Sequence, residues 1–135
     1  MMAEAPGKDG AMAGGHVRLH AIRGATSVGA DVSAAIAART AELIETILER
    51  NDIAVEDIVS VLFTATPDLR ADFPAAAARD LGLSRTPLIC CQEIPVDGAL
   101  ARCIRVLMHV YMPPGHASRH VYLHEARQLR LDLPE

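Results

Sequence analysis

The stretch Cys103-Ile104-Arg105-Val106-Leu107-Met108-His109-Val110 constrains the chain most: apart from Arg105 its first six residues are apolar, and the whole reads as a buried strand. A guanidinium does not shed its proton, so such a strand can enter an interior only if an anion faces the charge. The preceding segment, Leu88 to Glu93 (LICCQE), is a second short apolar run that ends in a carboxylate. Together they predict a cation and an anion carried into one place on adjacent strands. Taken alone, Arg105 with Glu93 is a structural salt bridge. The rigid fork of donors on Arg105 equally suits a substrate carboxylate, or an oxygen that gains negative charge during a reaction.

The elements around these runs follow from periodicity. Val17, Leu19 and Ala21 alternate with Arg18 and His20, predicting a first strand over 17–22 that runs into Arg23 and Gly24. Ile36, Thr40, Leu43, Ile44, Ile47 and Leu48 recur at helical spacing over 32–50, with Asp31 as the expected N-cap. Ile58 to Thr64 reads as a second strand, broken by Thr66, Pro67 and Asp68. Pro74 and the alanines to Ala78 predict a short helix closed by Gly82. Strands at 88–91 and 103–111 follow, with a turn at Asp97 and Gly98 between them. Pro113, Pro114 and Gly115 end the long strand, His116 and His120 are expected on a surface loop, and a last extended stretch is expected over 121–131. This order predicts an α+β domain, a mixed β-sheet with helices on one face.

Composition narrows the function. With 135 residues, half of them hydrophobic, the chain is one domain with a real core; residues 1–16 are expected to be a flexible arm and 17–135 the folded domain. Two Phe, two Tyr and no Trp leave few platforms for base stacking, and a net charge of −4 without a basic run argues against nucleic acid. No stretch approaches a membrane span, and the first fifteen residues lack a signal-peptide core, so a cytoplasmic protein is expected. The three cysteines (90, 91 and 103) are an odd count, and sequence neighbours rarely pair, so they read as reduced. Cys90 and Cys91 would face opposite sides of a strand, a poor two-thiolate metal site. The six histidines show no paired-ligand spacing, and no metal is assigned.

The ordered words RGAT (23–26), ATPDL (65–69), FPA (73–75), CQE (91–93), CIRV (103–106), RHVYL (119–123) and LRLDL (129–133) resemble the monofunctional trimeric chorismate mutases, the class that is not an all-helical bundle. The resemblance spans nearly all of 17–133. It implies a homotrimer with a ferredoxin-like, pseudo-α/β-barrel arrangement and active sites at subunit interfaces, and rearrangement of chorismate to prephenate in Phe and Tyr biosynthesis without a cofactor. Matched by motif, Arg105 resembles the arginine that donates to the ether oxygen of the breaking bond, and Glu93 the carboxylate that accepts from the substrate hydroxyl. Cys90 resembles a cysteine lining the pocket beside that hydroxyl, while Arg23 and Tyr122 resemble groups holding a substrate carboxylate. Phe73 and Ala75 resemble apolar wall residues from the facing subunit, and Arg130 a C-terminal arginine that closes the site. The chain departs from the pattern at Ala76, where lysine is frequent, at Leu131, where proline is usual, and at Leu83, which replaces a frequent aromatic.

Two other readings differ in what they predict. A trimeric imine deaminase of similar architecture would also place an arginine at an interface pocket. A non-catalytic metabolite-binding module would keep the pocket and lose the rate, and Ala76 and the short tail motivate it.

Overall fold

The computed structural model describes residues 16–130; apart from His16, the expected N-terminal arm lies outside the described residues, as does Leu131. In chain order the elements are β1 (Arg18–Ser27), α1 (Ser33–Arg50), a 3-10 turn (Val55–Asp57), β2 (Ile58–Ala65), α2 (Pro74–Asp80), β3 (Leu88–Gln92), β4 (Cys103–Met112), β5 (Val121–Tyr122) and a 3-10 segment (His124–Arg130). The strands form one mixed sheet in the order β3-β2-β4-β1-β5. β4 pairs antiparallel with β1 and β2, whereas β3 and β5 join the outer flanks in parallel. The expected α+β architecture is the one observed.

Alternation along β4 separates two faces. Ile104, Val106, Met108, Val110 and Met112 are buried, while Arg105 and Tyr111 are exposed and Leu107 and His109 half-buried. Val106, Met108, Val110 and Met112 share one apolar cluster with Leu43, Ile44 and Ile47 of α1, Ala75 and Ala78 of α2, and Ile22, Val61 and Phe63 of the flanking strands, while Ile104 packs with Val28 and Ile36 in a second, smaller one. Both helices therefore lie on one side of the sheet, and Arg105 points away from them. The sequence placed Arg105 in an interior; its side chain is 45% exposed, because strand parity turns it to the side that no helix covers.

The structure departs from the sequence reading at several places, β1 among them, which runs on to Ser27. Asp31 does not cap α1: Val32 occupies the N-cap with no side-chain bond, and the Asp31 carboxylate instead accepts the backbone N–H groups of Arg70 and Ala71, both at 2.9 Å. The capping oxygen is used to tie the loop before α2 to the start of α1. The final stretch is extended only at Val121–Tyr122, because the Leu123 N–H donates to the Ala25 carbonyl and His124 then turns at φ 54° into the 3-10 segment. His116 and His120 are half-buried rather than surface residues. Buried Asn51, just past α1, accounts for their placement: its Oδ1 lies 3.2 Å from His116 Nε2 and accepts the Arg119 N–H at 2.8 Å, while its Nδ2 donates to the Arg119 carbonyl at 2.9 Å.

Helix and sheet meet most closely at Gly24. A Cβ built there would lie 2.8 Å from Ile47 Cδ1 and 2.9 Å from Val106 Cγ1, with Leu43 Cδ1 at 3.1 Å. Only hydrogen fits this contact without moving the Ile47, Val106 or Leu43 side chains. Gly24→Val should cost about 1–3 kcal/mol of unfolding free energy through overpacking, read as a lowered urea midpoint with little change in slope.

Candidate active site

The open face of the sheet holds a hollow of about 340 Å³. Register explains its lining: Arg105 pairs with Ala25 on one side and Thr64 on the other, and Leu107 pairs with Arg23 and Leu62, so these strands present one surface. Arg23, Leu62, Thr64, Arg105 and Leu107 form its floor, and Tyr122 of β5 and Arg130 complete the rim. The Arg130 guanidinium carbon lies 6.0 Å from the Tyr122 ring centroid, within reach of a cation–π contact. Three guanidinium groups thus line one depression beside Leu62 and Leu107, an arrangement suited to a small anion with more than one carboxylate.

Glu93 fixes the central cation. Its Oε2 accepts from Arg105 Nε at 2.9 Å and from the Thr64 hydroxyl at 2.6 Å, and its side chain is 15% exposed. The Glu93 N–H donates to the Ala65 carbonyl at 2.9 Å, holding the residue just beyond the end of β3. The bridge uses the inner Nε of the fork, so this carboxylate does not consume the outer Nη edge. The pairing expected from the two apolar runs is present as a direct contact, but it reaches across β2, over Thr64, rather than between adjacent strands.

The remaining named residues are distributed differently. β3 aligns Cys90 with Phe63, which is in the helix-side core, and Cys91 with Thr64 on the open face. Cys90 therefore packs partly against the core and does not line the hollow around Arg105. With Cys91, Phe73, Pro74, Arg70 and Asp72 it lines a second hollow of about 330 Å³ at the C-terminal end of β2. Phe73 is 68% exposed there. Ala75, expected as wall, is 5% exposed and belongs to the apolar core beneath α2. Cys103 is buried, which pushes its thiol up to about 11 and leaves it neutral. Among the described residues no cluster of His, Cys, Asp and Glu could hold a metal ion.

Sequence reasoning missed Thr64, Leu62, Leu107 and His120. The first three were legible only through register. His120 was hidden because its ring acts on backbone: Nδ1 lies 3.0 Å from the Arg23 N–H. Burial, followed by the charges of Arg23 and Arg130, holds its pKa below the ordinary histidine value.

One hollow on the open face of a mixed sheet is thus lined by a carboxylate-anchored arginine and two further arginines, a lining suited to a small polyanion. The profile of the family described as chorismate mutase type I matches residues 19–133, and the chain belongs to that family. It is 46% identical over 117 residues to the chorismate mutase AroH of Bacillus subtilis, covering 85% of this chain and 92% of that protein. It is 47% identical over 114 residues to the chorismate mutase AroH of Thermus thermophilus, covering 83% and 93%. The solved chorismate mutase of Clostridium thermocellum superposes with a TM-score of 0.77 at 44% identity, covering 81% of this chain and 98% of that one.

The Thr64–Glu93 contact should be energetically coupled. Thr64→Val and Glu93→Gln, alone and combined, should give a coupling of about 1 kcal/mol in a urea double-mutant cycle, and strict additivity would remove Thr64 from the site.

Proposed function

We infer that the chain is a chorismate mutase, an isomerase that converts chorismate to prephenate on the route to phenylalanine and tyrosine. The observation that carries the reading is Arg105, held through Nε by Glu93 in a hollow also lined by Arg23, Tyr122 and Arg130. Family membership over residues 19–133 supports the same reaction.

The rearrangement is unimolecular and moves no proton to or from the protein. What it requires is a folded substrate conformer and stabilisation of charge that develops on the ether oxygen as the C–O bond lengthens ahead of C–C formation. Arg23 and Tyr122 are assigned to one substrate carboxylate, which restricts the side chain over the ring. Arg105 is assigned to the ether oxygen through the outer edge of its fork. A fixed guanidinium gains most there when the negative charge is largest, so it binds the transition state better than the ground state. Glu93 has two roles that its geometry makes compatible: one oxygen orients Arg105 and Thr64, and the carboxylate as a whole offers an acceptor for the substrate hydroxyl. Arg130, over Tyr122, is assigned to closing the rim.

We further propose a homotrimer in the cytoplasm with sites shared between subunits. Leu19, Leu62, Ile89 and Tyr111 are exposed apolar residues on the open face, and Phe73 is exposed as well, surface of the kind that subunit contacts cover. Packing such faces together would bring Phe73 of one subunit toward the hollow of the next, as the family resemblance implies. Among the described residues no helix is long and apolar enough to cross a membrane.

Purified protein should deplete chorismate without added cofactor, followed by loss of its ultraviolet absorbance; a rate equal to the uncatalysed one would remove the assignment. Arg105→Ala should lower kcat/KM by about 10²–10³-fold, the scale for loss of a principal oxyanion donor. Arg105→Lys should recover only part of that loss, because an ammonium lacks the planar fork. Light scattering should give a mass three times that of the chain.

A further inference from the structure

We propose that His120 is a positioning residue of the carboxylate clamp: its neutral ring, through Nδ1, replaces a missing carbonyl in the β1–β5 ladder and so sets Arg23 and Tyr122 relative to each other. This deepens the functional reading above and rests on it.

β5 is two residues long, with Val121 beside Gly24 and Tyr122 beside Ala25 in parallel. At one end the ladder continues, since the Leu123 N–H donates to the Ala25 carbonyl at 2.9 Å. At the other end, one more parallel step would join the Arg23 N–H to the Arg119 carbonyl. That carbonyl is already turned to Asn51 Nδ2 at 2.9 Å, and the Arg119 N–H to Asn51 Oδ1 at 2.8 Å. Without another acceptor the Arg23 N–H would be lost from the ladder at the residue that carries the clamp guanidinium. The His120 ring fills the place, with Nδ1 at 3.0 Å.

A backbone N–H only donates, so Nδ1 must be bare and the ring proton must sit on Nε2. The charged groups acting on the ring are Arg23, from β1, and Arg130, from the 3-10 segment. Protonation would remove the acceptor and place a third cation beside two arginines. Because the folded pKa lies below the ordinary value, the neutral clamp persists to lower pH than an unperturbed histidine would allow and is lost as pH falls through that depressed value.

The test combines three readouts on the full chain. Imidazole nitrogen shifts of the 15N-labelled protein near neutral pH should show His120 as the Nε2–H tautomer. His120→Ala should raise KM for chorismate about ten-fold with kcat within about two-fold, since carboxylate holding is shared by ground and transition states. His120→Asn, whose Oδ1 takes the place of Nδ1, should restore KM to within about three-fold. The wild-type acid limb in kcat/KM should move or vanish in His120→Asn, while any limb from Glu93 or the substrate carboxylates remains in both. An Nδ1–H tautomer, or unchanged KM in a folded His120→Ala, would overturn the proposal. If His120→Ala does not fold, an acid limb that is the same in His120→Asn as in wild type would overturn it. A wild-type protein that turns over no chorismate would overturn the functional reading instead, and the tautomer would still decide the role of the ring.

Discussion

Everything in this molecule depends on the pairing of β4 with two antiparallel neighbours. A central strand flanked on both sides has no freedom to slip, because a one-residue shift would turn its buried methyl groups outward and its arginine inward. The register that seats Val106 and Met108 under the helices is therefore the same register that sets Arg105 beside Thr64 and Leu107 beside Leu62. Core and site are two faces of one alignment. No separate device is needed to place the central cation.

That economy determines the electrostatics. Arg105 is far enough into solvent that its charge carries little desolvation cost, and one carboxylate oxygen suffices to hold it still. A fully buried Arg–Glu pair would satisfy itself and leave nothing for a ligand. An exposed arginine without Glu93 would wander among rotamers. The half-open pair lies between these limits: the cation is held in one orientation, which in the proposed reaction leaves little reorganisation to supply.

Much of this was legible in the sequence, for reasons that differ by residue. The long apolar run with a single arginine gave β4, and helical spacing from Ile36 to Ile47 gave α1, because both patterns reflect burial along one element. The Arg105–Glu93 pair was legible because charge in an apolar run demands an answer. The depth of Arg105 was not, since alternation tells which residues share a face but not which face the helices will cover. Asp31 was misread as a cap because its side chain serves a loop some forty residues away. Cys90 was assigned to the site by motif, whereas its pairing with Phe63 sends its side chain toward the core. His120 escaped because its partner is a main-chain N–H, and Asn51 because most of its partners are main-chain atoms, which leave no trace in side-chain patterns.

The close approach at Gly24 has a consequence for how the fold can vary. With hydrogen alone between the β1 backbone and α1, the strand's height above the helix is set by the sizes of Leu43, Ile47 and Val106 rather than by any side chain of its own. Arg23 is the preceding residue, facing the other way, so the depth of the open-face hollow is calibrated from behind. A core substitution that thickens the helix layer by a methyl group becomes a displacement of a charged group on the opposite side of the sheet. The residues that govern ligand geometry here therefore extend to side chains that no ligand could touch.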